Sequence, residues 1–268
     1  MFDAIDAHIH LDMYPEERAR QMCEELASDR VLGLVAVSRH LVSCQATQRL
    51  RKSFPDRVWA AYGYHPEQAL PSAEELAELL AWIRERKDEM VAIGEVGLPY
   101  YTRTEVEAEG RHFEVEPYVE MLEQFIALAA ELNKPVVLHA VYEDADVVID
   151  LLQQHGVKKA HFHWFKGPAS TVQRMIEAGY FISITPDVWY EEGVRTLVRE
   201  YPLTHIMVET DGPWPFEGPF EGQETHPRMV HAVIEQIALL KGLSMGETAA
   251  IVRGNTERFY GLSEPDKD

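Results

Sequence analysis

The sequence has little cysteine, no long apolar run and a shortage of positive charge, and each of these narrows what the chain can be. Of 268 residues, only Cys23 and Cys44 are cysteines. They form no C-x-x-C pair, which argues against a disulfide framework and for a reducing compartment, with the cytoplasm as the expected location. No apolar stretch approaches the ~20 residues of a membrane span. The start, MFDAIDAHIHLD, lacks the basic opening and apolar core of a signal peptide. Lys and Arg number 25 against 45 Asp and Glu, a formal net charge of -20. That balance argues against an extended nucleic-acid surface, whose affinity comes mostly from Lys and Arg on phosphates. A small phosphate-bearing substrate is still allowed, because bound metal ions can supply positive charge locally. Also missing are any low-complexity linker or repeat, so one domain over residues 1–268 is expected. A Gly-rich phosphate turn after the first strand, which a dinucleotide-binding open sheet needs, is absent as well.

What is present is an ordinary globular composition, 46% apolar and 26% charged, in which a short apolar run recurs before a helical pattern. The runs are Ala4–Ile9, Val31–Val37, Val58–Tyr62, Val91–Ile93, Val136–Leu138, Lys159–Phe162, Tyr180–Ile184 and His205–Val208. Ser72 with Glu75 and Ser244 with Glu247 have the spacing of capping boxes. Segments 116–133, 143–155, 169–178 and 226–241 also read as helices, and the acidic run Glu105 to Glu109 as a solvated loop or helix end. Strand–helix alternation of this kind needs parallel strands with helical crossovers. Eight such units in a chain near the ~250 residues typical of the fold predict an α/β protein of the TIM-type (β/α)8 barrel class.

Chemistry enters at the ends of the runs. Asp6, His8 and His10 alternate along the first strand and therefore share a face. Two imidazoles at i and i+2 make a pair of ligands for a divalent metal, with the preceding carboxylate as a supporting partner of the rings. By itself H-x-H is a weak signal. Later runs add Glu95 at the end of the fourth, His139 at the fifth, His163 after the sixth and Asp211 after the eighth. In a barrel the C-terminal ends of the strands carry the active site, so His8, His10, Glu95, His139, His163 and Asp211 are expected at one mouth. His161 shares the parity of His163 and is a lesser polar candidate.

These motifs resemble the TatD-type branch of the metal-dependent amidohydrolase superfamily. The landmarks are IDAHIHLD, GYHP at 63–66, GEVGLPYY at 94–101, PVVLH at 135–139, HWFKG at 163–167, ETDGP at 209–213 and GNTERFYGL at 254–262. The resemblance implies that His8, His10 and Asp211 hold one metal and that His139 and His163 hold a second, with Glu95 bridging them. The ions would be two divalent metals, with zinc, manganese, magnesium, nickel and iron all compatible with such ligands. His65 in GYHP would be an active-site histidine outside the metal cluster. The implied chemistry is hydrolysis by a metal-activated hydroxide, since coordination lowers the pKa of a water towards ~7. Asp211 would then serve also as the catalytic proton acceptor. Lys166 is a candidate for substrate positioning.

Some positions depart from the family pattern. Pro99 stands where GEVGL usually continues with Asp, and Ala140 and Val141 follow His139 where an arginine is usual. Thr225-His226-Pro227 replaces Asn-Glu-Pro, and the loop 212–224 is aromatic, acidic and proline-rich. A lost guanidinium weakens phosphate recognition, because valine offers no bidentate donors. The resemblance still implies deoxyribonuclease-like phosphodiester hydrolysis, with a DNA end or a small molecule as substrate, although these departures speak against it. Hydrolysis of a small ester, lactone, amide or phosphoester is the alternative, and a non-catalytic metal-binding protein a third reading.

Overall fold

The computed structural model describes residues 2–262. The eight apolar runs become strands β1 (Ala4–Ile9), β2 (Val31–Ala36), β3 (Val58–Tyr62), β4 (Ala92–Gly97), β5 (Val136–His139), β6 (Ala160–Phe162), β7 (Phe181–Ile184) and β8 (Ile206–Val208). Helices α1 (Glu16–Glu25), α2 (Leu41–Ser53), α3 (Ala73–Glu85), α4 (Tyr100–Ala108), α5 (Glu116–Leu132), α6 (Asp144–Gln154), α7 (Ala169–Ala178), α8 (Glu192–Glu200), α9 (Val230–Lys241) and α10 (Met245–Tyr260) follow them along the chain. The strands take the order β1 to β8 in the sheet, which is the order of a (β/α)8 fold.

The described residues form two compact units, one of residues 2–36, 49–59 and 181–262, the other of 37–48 and 60–180. In the first unit β1 pairs with β2 and β7 with β8, both parallel. The segment after β8 continues the ladder onto β1, since the Asp211 amide donates to the His8 carbonyl at 3.0 Å and the His10 amide to Gly212 at 2.8 Å. The segment after the last strand thus meets the first strand. All six residues of β1 are buried. A strand covered on both faces must be apolar throughout or find partners for its polar groups, and Asp6 and His8 are the exceptions this one carries.

In the second unit β4 pairs with β3 and β5, and β5 with β6, again parallel. The buried face of α5, with Leu122, Phe125, Ile126 and Ala129, supplies much of its core together with Val136, Leu138 and Phe162. Both capping boxes form. Ser72 accepts from the Glu75 amide at 3.2 Å while the Glu75 carboxylate accepts from Ser72, and Ser244 with Glu247 does the same. Helix α9 begins at Val230, later than the expected 226, because the chain first makes a 3-10 turn, Pro227–Met229, whose Arg228 amide donates to the His226 ring. The run Glu105 to Glu109 lies at the end of α4. Among the described residues no helix is long and apolar enough to cross a membrane.

One boundary differs in a way that bears on chemistry. Glu95 lies inside β4, not at its end, because the strand resumes after a register shift between Ile93 and Val96 and runs on to Gly97. Such an irregularity re-aims a side chain without ending the strand. At Gly97 the strands come so close that a Cβ would collide with the His139 carbonyl. The same carbonyl accepts from the Leu98 amide at 3.0 Å, so it cannot retreat without losing that bond. Gly97→Ala is therefore expected to destabilise the fold by about 1–3 kcal/mol through overpacking, read as a lower denaturant midpoint at unchanged slope.

Candidate metal centre

In the first unit, β1 delivers His8 from its interior and His10 from one residue past its end. Asp211 faces them. Its Oδ1 lies 3.2 Å from His8 Nε2 and 3.5 Å from His10 Nε2. The two rings stand edge to face, with centroids 5.2 Å apart. Ligand atoms of these three residues all fall within 4.8 Å of one another, a spacing that suits one divalent ion. Asp211 holds a left-handed backbone, φ 48°, which Asp tolerates better than most residues. Its amide on His8 and its carbonyl, which accepts from Trp214 at 3.1 Å, keep it there.

Asp6 behaves differently from the expectation that it would support an imidazole ring. Its Oδ1 accepts from the His8 amide at 3.2 Å and the Thr210 amide at 3.1 Å, and its Oδ2 from the Thr210 hydroxyl at 2.5 Å. The reason is backbone geometry: three donors from β1 and the segment beside it reach the carboxylate together. Asp6 thus latches the chain on either side of the ligands. Burial pushes its carboxyl up to about 7, against the hydrogen bonds from Thr210 and His8.

In the second unit, Glu95 is fully buried and surrounded by imidazoles. Its Oε1 lies 2.7 Å from His163 Nε2, 3.1 Å from His139 Nδ1 and 3.3 Å from His65 Nε2. His139 comes from the last residue of β5 and His163 from just past β6. His65, expected outside the metal cluster, sits against its carboxylate, with its ring 4.8 Å from that of His139. Burial opposes a charge on His139, yet the carboxylates of Glu67 and Glu95 raise its proton affinity above the usual. A cation at the same nitrogen would compete with that proton. Imidazole and carboxylate donors in these two clusters are those that zinc, manganese, iron or nickel accept, so the side chains present fit divalent metal.

Glu67 was not among the residues singled out from the sequence. Its Oε1 lies 3.2 Å from His139 Nε2. Burial works against its charge, but His139 and the Thr102 hydroxyl hold its carboxyl down to about 2. The only local signal is its position directly after His65-Pro66. His161 is buried in β6. The Lys166 ammonium lies 5.3 Å over the Trp164 ring. Ala140 and Val141 are buried. Arg103 is engaged by Glu143 at 3.1 Å and Asp144 at 2.7 Å. Thr225 and His226 are structural, since the Thr225 carbonyl accepts from Tyr14 at 2.8 Å and His226 pairs with Glu25 at 3.1 Å.

Imidazoles and carboxylates gathered at the ends of parallel α/β strands define the class of metal-dependent hydrolases, and the comparisons agree. The sequence model described as TatD related DNase matches residues 5–261. An uncharacterized metal-dependent hydrolase of Haemophilus influenzae is 37% identical over 257 residues, 96% of this chain and 99% of the relative. The deoxyribonuclease TATDN3 of Homo sapiens is 31% identical over 264 residues, 96% of this chain and 94% of that one. Among solved structures, the TatD homologue YjjV of Escherichia coli shares the fold with a TM-score of 0.83 at 23% identity, over 97% of this chain and 98% of that one. The chain belongs to the TatD family and is a metal-dependent hydrolase.

The Asp6 latch can be tested apart from catalysis. Thr210→Val removes the hydroxyl and leaves a buried carboxylate oxygen without that donor. A loss of about 1–3 kcal/mol in unfolding free energy is expected, measured by urea titration; no change would show that the latch contributes nothing.

Proposed function

We propose that this hydrolase cleaves phosphodiesters, with DNA ends or short DNA as substrate and two divalent cations as cofactors. The reading rests on one observation, the pairing of buried carboxylates with convergent imidazoles, Asp211 beside His8 and His10, and Glu95 beside His139 and His163. In this reading His8, His10 and Asp211 would hold one ion, and His139 and His163, with Glu95 beside them, the other. The human relative's name and the family's description support DNA as the substrate class.

When bound, the cations supply an acidified water and a Lewis acid for the scissile phosphoryl oxygen. The protein's part is positional and protic. Asp211 turns one oxygen to His8 and His10. In this proposal its carboxylate takes the proton of the attacking water and passes it to the leaving oxygen. His65, whose Nδ1 accepts from the Glu67 amide at 3.1 Å, carries its proton on Nε2 and directs it toward Glu95 or an incoming substrate oxygen.

His8→Ala and His139→Ala are each expected to remove one equivalent of metal and most activity while leaving the circular dichroism spectrum and melting unchanged beyond a few degrees. Asp211→Asn should lower turnover far more than metal content, as measured by elemental analysis alongside kinetics. Equal turnover would remove Asp211 from proton transfer.

A second reading, hydrolysis of a small ester, lactone, amide or phosphoester, is favoured by the apolar pair Ala140–Val141 after His139 and by the net charge of -20. Salt separates the two. Raising ionic strength about tenfold should weaken binding of single-stranded DNA strongly, in proportion to the phosphates contacted. Turnover of small esters with a flat salt response, and no release of nucleotides, would favour the second reading.

A further inference from the structure

Each ring nitrogen of His139 faces a different carboxylate. Nδ1 lies 3.1 Å from Glu95 Oε1 and 3.4 Å from His163 Nε2, while Nε2 lies 3.2 Å from Glu67 Oε1. The ring thus has one edge on the proposed metal cluster and one on a residue outside it.

Glu67 is held from the other side by the first turn of α4. Its Oε1 accepts from the Tyr101 amide at 2.8 Å, and its Oε2 from the Thr102 amide at 2.7 Å and the Thr102 hydroxyl at 2.5 Å. These amides have no partner within their own helix, and the positive end of the helix dipole favours a carboxylate there. Both oxygens are therefore committed as acceptors in a fixed orientation. An ionised carboxylate has no proton to give, so the proton of the Glu67–His139 bond belongs to His139 Nε2. A neutral imidazole protonated on Nε2 has its lone pair on Nδ1, the nitrogen that faces Glu95 and His163.

The geometry points to Glu67 as a positioning residue that fixes His139 in its Nε2–H form and so presents the Nδ1 lone pair to a divalent cation. It rests on the reading above that His139 is a metal ligand, and adds which nitrogen binds and what selects it. Carboxylate–histidine–metal chains of this type orient the ring and raise its basicity. The backbone of the same residue acts alike on His65, whose Nδ1 accepts from the Glu67 amide. One residue thereby sorts the tautomers of two imidazoles beside Glu95.

Glu67→Gln keeps size and shape but must turn an NH2 group towards either His139 or Thr102, both of which are donors. In the full-length protein, with zinc alone as the probe, Glu67→Gln and Glu67→Ala are expected to weaken zinc binding at the His139 position by roughly 10- to 100-fold. The long-range 1H–15N spectrum of the metal-free native protein at alkaline pH should show His139 as the Nε2–H form, and the variants a mixture with Nδ1–H. Thr102→Val, which removes the hydroxyl but leaves both amides on Glu67, should lower the melting temperature while moving both readouts far less than the Glu67 variants do. Native His139 in the Nδ1–H form would overturn the proposal without recourse to any variant. So would Glu67 variants that bind zinc within about twofold of native while His139→Ala loses it. Zinc binding by His139→Ala equal to native would instead remove the ligand reading, and the proposal with it.

Discussion

Everything in the second unit is arranged around one costly fact, a carboxylate with no exposure to water. Moving a carboxylate out of water costs several kcal/mol even after relaxation, and neighbouring charge or strong donors must offset it. Three ring nitrogens surround Glu95 at 2.7, 3.1 and 3.3 Å, and a cation held among them would meet that demand. The three imidazoles come from β5, from just past β6 and from the loop after β3. The register shift in β4 and the absence of a side chain at Gly97 are what let this strand place Glu95 among them. A cluster so polar and so buried adds little to folding by itself. It is what a protein keeps when a cation is to occupy it.

The first unit reaches a similar end by another device. There the ligand-type residues lie on β1 and on the segment after β8, and the backbone holds them in register. Asp6 accepts three hydrogen bonds, two of them from Thr210, so its carboxylate binds the chain that carries Asp211 to the strand that carries His8 and His10. Placing the bonds on the backbone leaves the rings of His8 and His10 facing Asp211. Precision of this kind matters because ligand atoms must stand within a few tenths of an ångström of their working positions.

How much of this the sequence reveals follows from the range of each interaction. Strand positions are legible because both faces are buried and the runs are continuously apolar; Ala4–Ile9 and Val58–Tyr62 appear with those bounds. The capping boxes are legible because Ser72 and Glu75, or Ser244 and Glu247, lie three residues apart. The TatD motifs name His8, His10, Glu95, His139, His163 and Asp211 because each stands in a short fixed pattern. Glu67 escapes such a reading, since its partners His139 and Thr102 lie 72 and 35 residues away. Helix α4 escapes too: its N-cap is Pro99, which has no side-chain acceptor, and the residue that satisfies its first amides is Glu67. The role of Asp6 is hidden for a related reason, as periodicity gives the face of a side chain but not which donors reach it.

The remaining tension lies between a chain of net charge -20 and the polyanionic substrate proposed for it. A negative field slows the approach of DNA and offers few basic groups to hold its backbone. Arg103, close to the second cluster in sequence, is already committed to Glu143 and Asp144, and Val141 follows His139 with no guanidinium at all. In the proposed reading, attraction for phosphate would come mainly from bound cations, whose charge is local. Such an arrangement grips a single phosphate well and a long strand poorly. On the proposed reading it would favour ends, short pieces or small phosphoesters over extended duplex. The same carboxylates that repel a duplex at long range are, at the strand ends, what retains the metal on which that grip depends.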